Sequence, residues 1–250
     1  MQSPDQMSIM SMKMNNINFD FSSKKVLVFG GSRGIGKEVC NQFLKSGASV
    51  FCASRTKCSL KGVEHFTCDI SSYKDILDVF KKVGSVDFVI NVAGTNLCET
   101  IDNITMDEWD RLMHVNLRSF FAICKEAVKV MKQNNGGRIV NVSSIAGRSK
   151  SIVSGTHYTS SKYGIIGLTK QLANEVSQFN ILVNCVCPSQ TMTEMLSESM
   201  NEEQIQELQS KIPIRRIATT TEQALPILFL CSDAASYITG AAIDINGGQF

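Results

Sequence analysis

Apolar positions along this 250-residue chain follow two alternating periods. Short apolar, β-branched runs of strand length are followed by longer stretches in which apolar side chains recur every three to four residues. Lys24-Lys25-Val26-Leu27-Val28-Phe29 reads as a buried strand, and Val39, Phe43 and Leu44 set a helical repeat just behind it. Further strands are predicted near 48–53, 63–67, 86–91, 138–143, 181–186 and 241–245. Helices are predicted near 72–82, 106–132, 158–178 and 221–231, with two short ones filling 194–210. This alternation predicts an α/β, doubly wound parallel sheet of about seven strands, helices on both faces, in a single domain. One crossover breaks the rhythm. Only Thr56 to Gly62 separates the second strand from the third, too little for a helix, so a turn must serve there.

Two patterns within this frame carry chemistry. Gly30-Gly31-Ser32-Arg33-Gly34-Ile35-Gly36 joins the first strand to the first helix. Glycines there permit a tight turn and a close backbone approach, while the helix N-terminus offers free N–H groups to a phosphate. Gly30, Ser32, Arg33, Gly34, Ile35 and Gly36 are therefore candidate cofactor-binding residues. In His157-Tyr158-Thr159-Ser160-Ser161-Lys162 the Tyr-x-x-x-Lys spacing sets phenol and ammonium on one helix face. The ammonium there favours the phenolate, as a tyrosine acting as general acid/base requires.

Composition changes the picture mainly by exclusion. Hydrophobic residues make up 43% of the chain, enough for one large core. Net charge is only +2, and no basic stretch interleaved with aromatics occurs, so nucleic acid is not an expected partner. The longest apolar runs have strand length, so no membrane association is expected. Nine cysteines, an odd number spread along predicted strands and helices, read as reduced thiols of a cytoplasmic protein. Cys185 and Cys187 point to one face of a strand, but no second Cys/His pair stands at ligand spacing, so no metal is expected. Residues 1–20 alternate Met with Ser, Asn and Gln, and hold no stretch suited to a signal peptide. They read as a flexible N-terminal extension to a domain spanning 21–250.

Gly30-x-x-x-Gly34-x-Gly36, Asn91-Val92-Ala93-Gly94, Asn116, Ser144 and Tyr158-x-x-x-Lys162 occur in that order. Together they resemble the short-chain dehydrogenase/reductase family, over roughly residues 22 to 250. The run Lys211-Ile212-Pro213-Ile214-Arg215-Arg216 and the closing Asp244-Ile245-Asn246-Gly247-Gly248 are similar to that family's as well. The resemblance implies a Rossmann-type fold and an oxidoreductase with Asn116, Ser144, Tyr158 and Lys162 as catalytic residues. Tyr158 would exchange a proton with the substrate oxygen, and Lys162 would bind the nicotinamide ribose and stabilise the phenolate. Ser144 would hydrogen-bond the substrate oxygen, and Asn116 would hold a water that links Lys162 to solvent. Ser143 competes with Ser144, which is preferred because Ile-Ala-Gly follows it. His157 is expected at the surface, with a substrate contact as the other reading.

The resemblance also places Asp69 and Ile70 at the adenine, and Asn91, Ala93 and Gly94 along the cofactor. Pro188, Thr193 and its rival Thr191 would lie near the nicotinamide carboxamide. Phe29, where a Thr commonly precedes the first glycine, and Cys187-Pro188-Ser189, which replaces Pro-Gly, depart from the family pattern. Sites that hold the ribose 2′-hydroxyl of NAD use a carboxylate after the second strand. No Asp or Glu occurs here between Glu38 and Glu64. That strand ends Ser54-Arg55, and Arg33 sits in the glycine turn; two guanidiniums suit a 2′-phosphate, with Lys57 beside them. The expected cofactor is NADP(H).

The general look is that of 3-oxoacyl-[acyl-carrier-protein] reductases. Asn135 and Phe179 stand where those enzymes tend to carry the basic residues that dock the acidic carrier. The expected substrate is therefore a free small-molecule carbonyl or alcohol, under a polar lid at about 190–211, with a carrier-bound 3-oxoacyl group as the alternative. A non-catalytic dinucleotide-binding scaffold or sensor is the reading from another class, disfavoured because all four catalytic-type residues are present. Self-association as a homotetramer is expected, through the helices at 106–132 and 158–178.

Overall fold

The computed structural model describes residues 18–151, 154–194, 196 and 201–250. Its elements run β1 (Lys25–Phe29), α1 (Gly34–Lys45), β2 (Ser49–Ser54), β3 (Val63–Thr67), α2 (Tyr73–Val83) and β4 (Phe88–Asn91). The chain continues through α3 (Met106–Met113), α4 (Ser119–Gln133), β5 (Gly137–Val142), α5 (Thr156–Val176) and β6 (Ile181–Pro188). It closes with β7 (Thr191–Met192), α6 (Glu202–Ser210), β8 (Ala218–Thr219), α7 (Thr220–Cys231) and β9 (Ala242–Ile245).

Seven strands form one parallel sheet in the order β3-β2-β1-β4-β5-β6-β9. The chain winds outward from β1 to β3, then returns to start β4 on the other side of β1, which makes the gap between β1 and β4 a switch point. Registers Phe29↔Ala53, Phe29↔Asn91 and Asn91↔Asn141 bring the carboxyl ends of β1, β2, β4 and β5 level. Alternation along β1 divides the core. Val26 and Val28 face α1 and α7, together with Val39, Phe43, Ile227 and Leu228. Leu27 and Phe29 face α2, α4 and α5, together with Ile76, Phe80, Ile123 and Val176. Phe29 is fully buried, its ring 5.8 Å from that of Phe80. The aromatic that departs from the family pattern thus fills the core.

Three differences from the sequence expectation have physical causes. The helix predicted at 106–132 is split by a π-helical stretch at His114–Arg118. Apolar periodicity continues across that stretch, so the pattern does not reveal it. Phe19, placed outside the domain from sequence, stacks on Phe21 with centroids 5.8 Å apart and packs on the core. The tiny parallel ribbon β7–β8 joins Thr191 to Ala218, below the length at which alternation can be read. Residues 1–17 of the N-terminal extension and residues 195 and 197–200 of the lid lie outside the described residues. As expected, no helix forms between Thr56 and Gly62.

Candidate active site

The glycine turn leaves the buried end of β1 and enters α1 beside the switch point. Gly30 has φ +92°, and a Cβ there would come within 2.6 Å of the Ala93 backbone nitrogen. A Cβ on Gly36 would strike the Gly30 carbonyl oxygen. Side chains are thus excluded where β1, β4 and α1 meet, and the backbone is left to line the cradle. Arg33 occupies the N-cap position of α1 without a side-chain cap, and no acid stands in the helix's first turn. The opening amides of Gly34, Ile35 and Gly36 therefore meet no competing carboxylate and suit an anion. Ser32 is half-buried in the same turn. Thr193 closes over it, its Cγ2 lying 3.4 Å from where a Cβ on Gly34 would be.

Arg33 and Arg55 rise from the ends of neighbouring strands, since the Gly30 amide donates to the Ala53 carbonyl at 2.9 Å. Both are exposed, and neither has an ion-pair partner among the described residues. Ser54 is buried and donates to the Thr56 carbonyl at 2.8 Å, which folds the chain back after β2. Asp69 accepts from the Ser71 amide at 2.9 Å and its hydroxyl at 2.8 Å. Those bonds, backbone first, hold its carboxyl below the usual range, and the Arg55 charge adds to the effect. Ile70 packs into the core beneath it and lines a cavity between α2 and α4 together with His114 and Arg118.

On the far side of the switch point, α5 carries Tyr158 and Lys162 on one face. The Lys162 Nζ lies 5.5 Å from the centre of the Tyr158 ring and donates to the Val142 carbonyl at 3.1 Å. Lys162 is buried, whereas Tyr158 is half-buried and its hydroxyl has no partner among the described residues. Asn116, fully buried, stands in the π-helical stretch. Its Nδ2 donates to the Thr95 carbonyl at 2.8 Å and to Ser161 Oγ at 3.3 Å, and its Oδ1 accepts the Thr95 amide at 2.8 Å. A Cβ on Gly94 would sit 3.3 Å from that Oδ1 and 3.8 Å from the Lys162 Nζ, so Gly94, Asn116 and Lys162 adjoin.

The two serines after β5 divide the work. Ser143 is buried and spends its proton on the Lys162 carbonyl at 2.8 Å. Ser144, less buried, accepts from the Ala146 amide at 3.1 Å as the cap of the turn Ile145–Gly147. Its own O–H has no acceptor among the described residues, which leaves it free to donate. Pro188 ends β6, and Thr191 donates to the Ser189 carbonyl at 2.9 Å. The Thr193 hydroxyl accepts from the Leu196 amide at 3.3 Å.

One expectation, that for His157, needs correction, and the Asn91 side chain is placed inward. The Asn91 side chain turns into the core, donating to Asn141 Oδ1 at 2.7 Å, and Asn141 donates in turn to Thr169 Oγ1 at 3.0 Å. That chain of amides ties β4 to β5 and α5 through the Asn91 Nδ2, while the buried Asn91 Oδ1 has no partner among the described residues. His157 is not at the surface: it is buried, at 1% exposure, against Gly155. Sequence reasoning also passed over Thr95 and Ser161, which hold Asn116. Ser161 donates to the Tyr158 carbonyl at 2.7 Å, and its place three residues after Tyr158 was a usable helical-spacing signal. Among the described residues no cluster suits a metal ion, and no helix is long and apolar enough to cross a membrane.

A doubly wound sheet whose glycine-lined turn opens at its switch point, with Tyr158, Lys162, Ser144 and Asn116 on the elements across it, is the arrangement of a dinucleotide-binding oxidoreductase fold. Comparison with known proteins agrees. A family model described as enoyl-(acyl carrier protein) reductase matches residues 30–249. The 3-oxoacyl-[acyl-carrier-protein] reductase FabG of Aquifex aeolicus is 32% identical over 91% of this chain and 97% of its own length. Acetoacetyl-CoA reductase of Rhizobium meliloti is 34% identical over 91% of this chain and 99% of its own. Among solved structures, 3-oxoacyl-[acyl-carrier protein] reductase of Brucella melitensis superposes with a TM-score of 0.88 at 27% identity, covering 97% of both chains. Aldohexose dehydrogenase of Thermoplasma acidophilum gives a TM-score of 0.85 at 30% identity, over 92% of this chain and 94% of that one. The chain belongs to the short-chain dehydrogenase/reductase family and is an oxidoreductase of the kind that uses a nicotinamide cofactor.

Proposed function

We propose that this oxidoreductase uses NADP(H) and interconverts a small-molecule carbonyl and its secondary alcohol, with Tyr158 as general acid/base. The observation that carries this reading is the half-buried, unpartnered Tyr158 hydroxyl above the buried Lys162, 5.5 Å from ring centre to Nζ. A nicotinamide bound in the cleft would supply the hydride for reduction and accept it in oxidation. Tyr158 gives its proton to the carbonyl oxygen in one direction and takes it back in the other. Ser144 donates to the same oxygen and stabilises its developing charge. Lys162 keeps a positive charge near the phenol, and Asn116, braced by Thr95, holds the proton path from Lys162 outward.

Gly30, Ser32, Gly34, Ile35 and Gly36 cradle the pyrophosphate through their backbone. Arg33 and Arg55, with Lys57, take the 2′-phosphate, and the Ser54 turn presents Arg55 to it. Asp69 and Ile70 border the adenine. Ala93, Gly94 and the backbone of Asn91 border the ribose, and Pro188, Thr191 and Thr193 the carboxamide. The protein acts as a cytoplasmic homotetramer.

Titrating the protein with NADPH and NADH tests the cofactor. NADPH should bind at least about tenfold more tightly, and Arg33→Ala with Arg55→Ala should erase that margin, as loss of charge-assisted bonds of ~1.5–3 kcal/mol each implies. An NADH preference in the unaltered protein would overturn it. A second reading, reduction of a 3-oxoacyl thioester, draws on the names of the relatives, which include both acyl-carrier-protein and CoA reductases. The ends of α4 and α5 argue against a strongly charged carrier dock. Asn135 accepts a bond from Asn180 there at 3.2 Å, and the nearby cation, Lys132, lies over the Phe179 ring at 3.8 Å. Turnover of a 3-oxoacyl-CoA in preference to free ketones and sugars would select the thioester. Turnover of the carrier-bound form alone would restore the carrier.

A further inference from the structure

The turn that begins at Ser144 is anchored at its far end by an ion pair that the proposed proton chemistry does not use. Gly147 donates to the Ser144 carbonyl at 2.9 Å, and Arg148 and Ser149 both donate to that of Ile145 at 3.0 Å, so residues 144–149 form one piece. A Cβ on Gly147 would stand 2.5 Å from Ser143 Oγ and 2.7 Å from the Lys162 carbonyl oxygen, which seats the turn directly on α5. One side of the turn is thus fixed. The other ends in Arg148, whose Nε and Nη2 donate to the two carboxylate oxygens of Asp244 at 2.9 and 3.0 Å. Neither side chain has another partner among the described residues.

Asp244 is well placed to hold that end. It stands on β9 opposite Cys187 of β6, and the next residue, Ile245, pairs with Pro188. The Ile245 carbonyl accepts the Ser189 amide at 3.1 Å and Gln223 Nε2 at 3.2 Å, so this corner of the sheet is tied down on its own account. A forked guanidinium–carboxylate contact fixes orientation as well as distance. With side chains 35% and 29% exposed, such a pair adds little to the stability of the whole molecule. It does set where the turn sits, and the turn carries Ser144 at its first position.

We propose that Arg148 and Asp244 are positioning residues that aim the Ser144 hydroxyl at the substrate oxygen on which Tyr158 acts. The inference rests on the proposed function, in which both hydroxyls serve one oxygen. Neither member of the pair touches the reacting atoms. Without the fork the turn keeps its seat on α5 but gains freedom on the β9 side, and Ser144 loses its aim. That loss falls on the chemical step rather than on cofactor binding, since β4, β5 and β6 separate β9 from the glycine turn after β1.

Arg148→Met, Arg148→Lys and Asp244→Asn are compared with the unaltered full chain, and Arg148→Met is also combined with Ser144→Ala. Turnover is followed by NADPH oxidation with acetoacetyl-CoA and ethyl acetoacetate, and by NADP⁺ reduction with glucose. Amide hydrogen exchange of the peptide spanning 144–149 is read by mass spectrometry. Arg148→Met and Asp244→Asn should each lower kcat about tenfold or more and leave the NADPH dissociation constant within about twofold. Exchange at 144–149 should quicken about fivefold or more while that of α5 stays as it was. Arg148→Lys, which keeps the charge without the fork, should fall between. In the Ser144→Ala background Arg148→Met should change kcat by less than about twofold, because aim has no value once the hydroxyl is gone. A further tenfold loss there, or unchanged exchange at 144–149, overturns the positioning role. If Ser144→Ala alone leaves kcat unchanged, the reading of Ser144 fails instead. The exchange data decide the pair's hold on the turn whichever substrate is turned over.

Discussion

At Ser143 and Ser144 two adjacent hydroxyls take different parts, and hydrogen bonding separates them. Ser143 is spent on the Lys162 carbonyl, so it braces α5 against β5. Ser144 accepts from the Ala146 amide and has no acceptor for its own proton among the described residues. Ser144→Ala is expected to lower kcat by about 10²-fold, as loss of one oxyanion donor does, beside the modest stability cost of losing the cap of the turn Ile145–Gly147. Ser143→Ala should instead cost about 1 kcal/mol of stability, read by denaturant titration, because it removes a buried hydrogen bond that ties β5 to the helical Lys162 carbonyl. Equal kinetic losses for both would erase the distinction. For Tyr158→Phe, turnover should fall by about 10²–10⁴-fold while NADPH still binds, the range for removing a general acid/base. Spacing made Tyr158 and Lys162 legible, and the order of the motifs brought in Asn116 and Ser144. Asn91 and His157 were not legible. Their side-chain directions depend on neighbours distant in the chain, Asn141 for one and the Glu99–Gly155 region for the other.

At the scale of elements, caps and breaks do what apolar periodicity does not show. Alternating strands and helices, and even the absent helix between Thr56 and Gly62, could be read from run lengths alone. The π stretch at His114–Arg118 could not, because it leaves the apolar stripe intact. It is nonetheless the stretch that carries Asn116. The start of α7 offers a pH test. Thr219 caps the helix reciprocally with Glu222, and Arg216 grips the same carboxylate through two nitrogens, at 2.7 and 2.5 Å. The Arg216 guanidinium foremost, with the Thr219 bonds, holds the Glu222 carboxyl below its ordinary range. A depressed folded value means the stabilisation is complete above the unfolded carboxyl value of about 4.3 and is lost as pH falls through the folded one. Thermal melts from pH 6 to pH 3 should show this acid loss, and Glu222→Gln should flatten it while lowering stability at neutral pH. An unchanged acid limb in that variant would place the loss elsewhere, Asp69 and Asp75 being the other depressed carboxyls near the sheet's end.

At the scale of the molecule, one sheet face carries α5, with Tyr158 and Lys162, and also exposed aromatic side chains. Helix α5 meets the π-helical stretch that leads into α4 where a Cβ on Gly164 would run into the Leu117 side chain, so the two pack closely there. Around that crossing Phe121 is 54% exposed and Tyr163 is 49% exposed. Large aromatics standing in water beside a small-residue crossing suit a self-complementary contact, in which each copy offers the same patch to the other. Tyr163 is also the residue after Lys162, so such a contact would stiffen α5 at the turn that carries Tyr158 and Lys162. Phe121→Asp and Tyr163→Asp leave the monomer's core untouched, yet a carboxylate at either position would be buried without a partner in the assembly. Sedimentation should therefore give a homotetramer for the unaltered chain and a smaller species for the double variant. NADPH affinity should be retained, since no cofactor residue is changed. Turnover should fall with the loss of assembly, and in proportion to it across a dilution series. A double variant that sediments like the unaltered chain would move the interface away from α4 and α5.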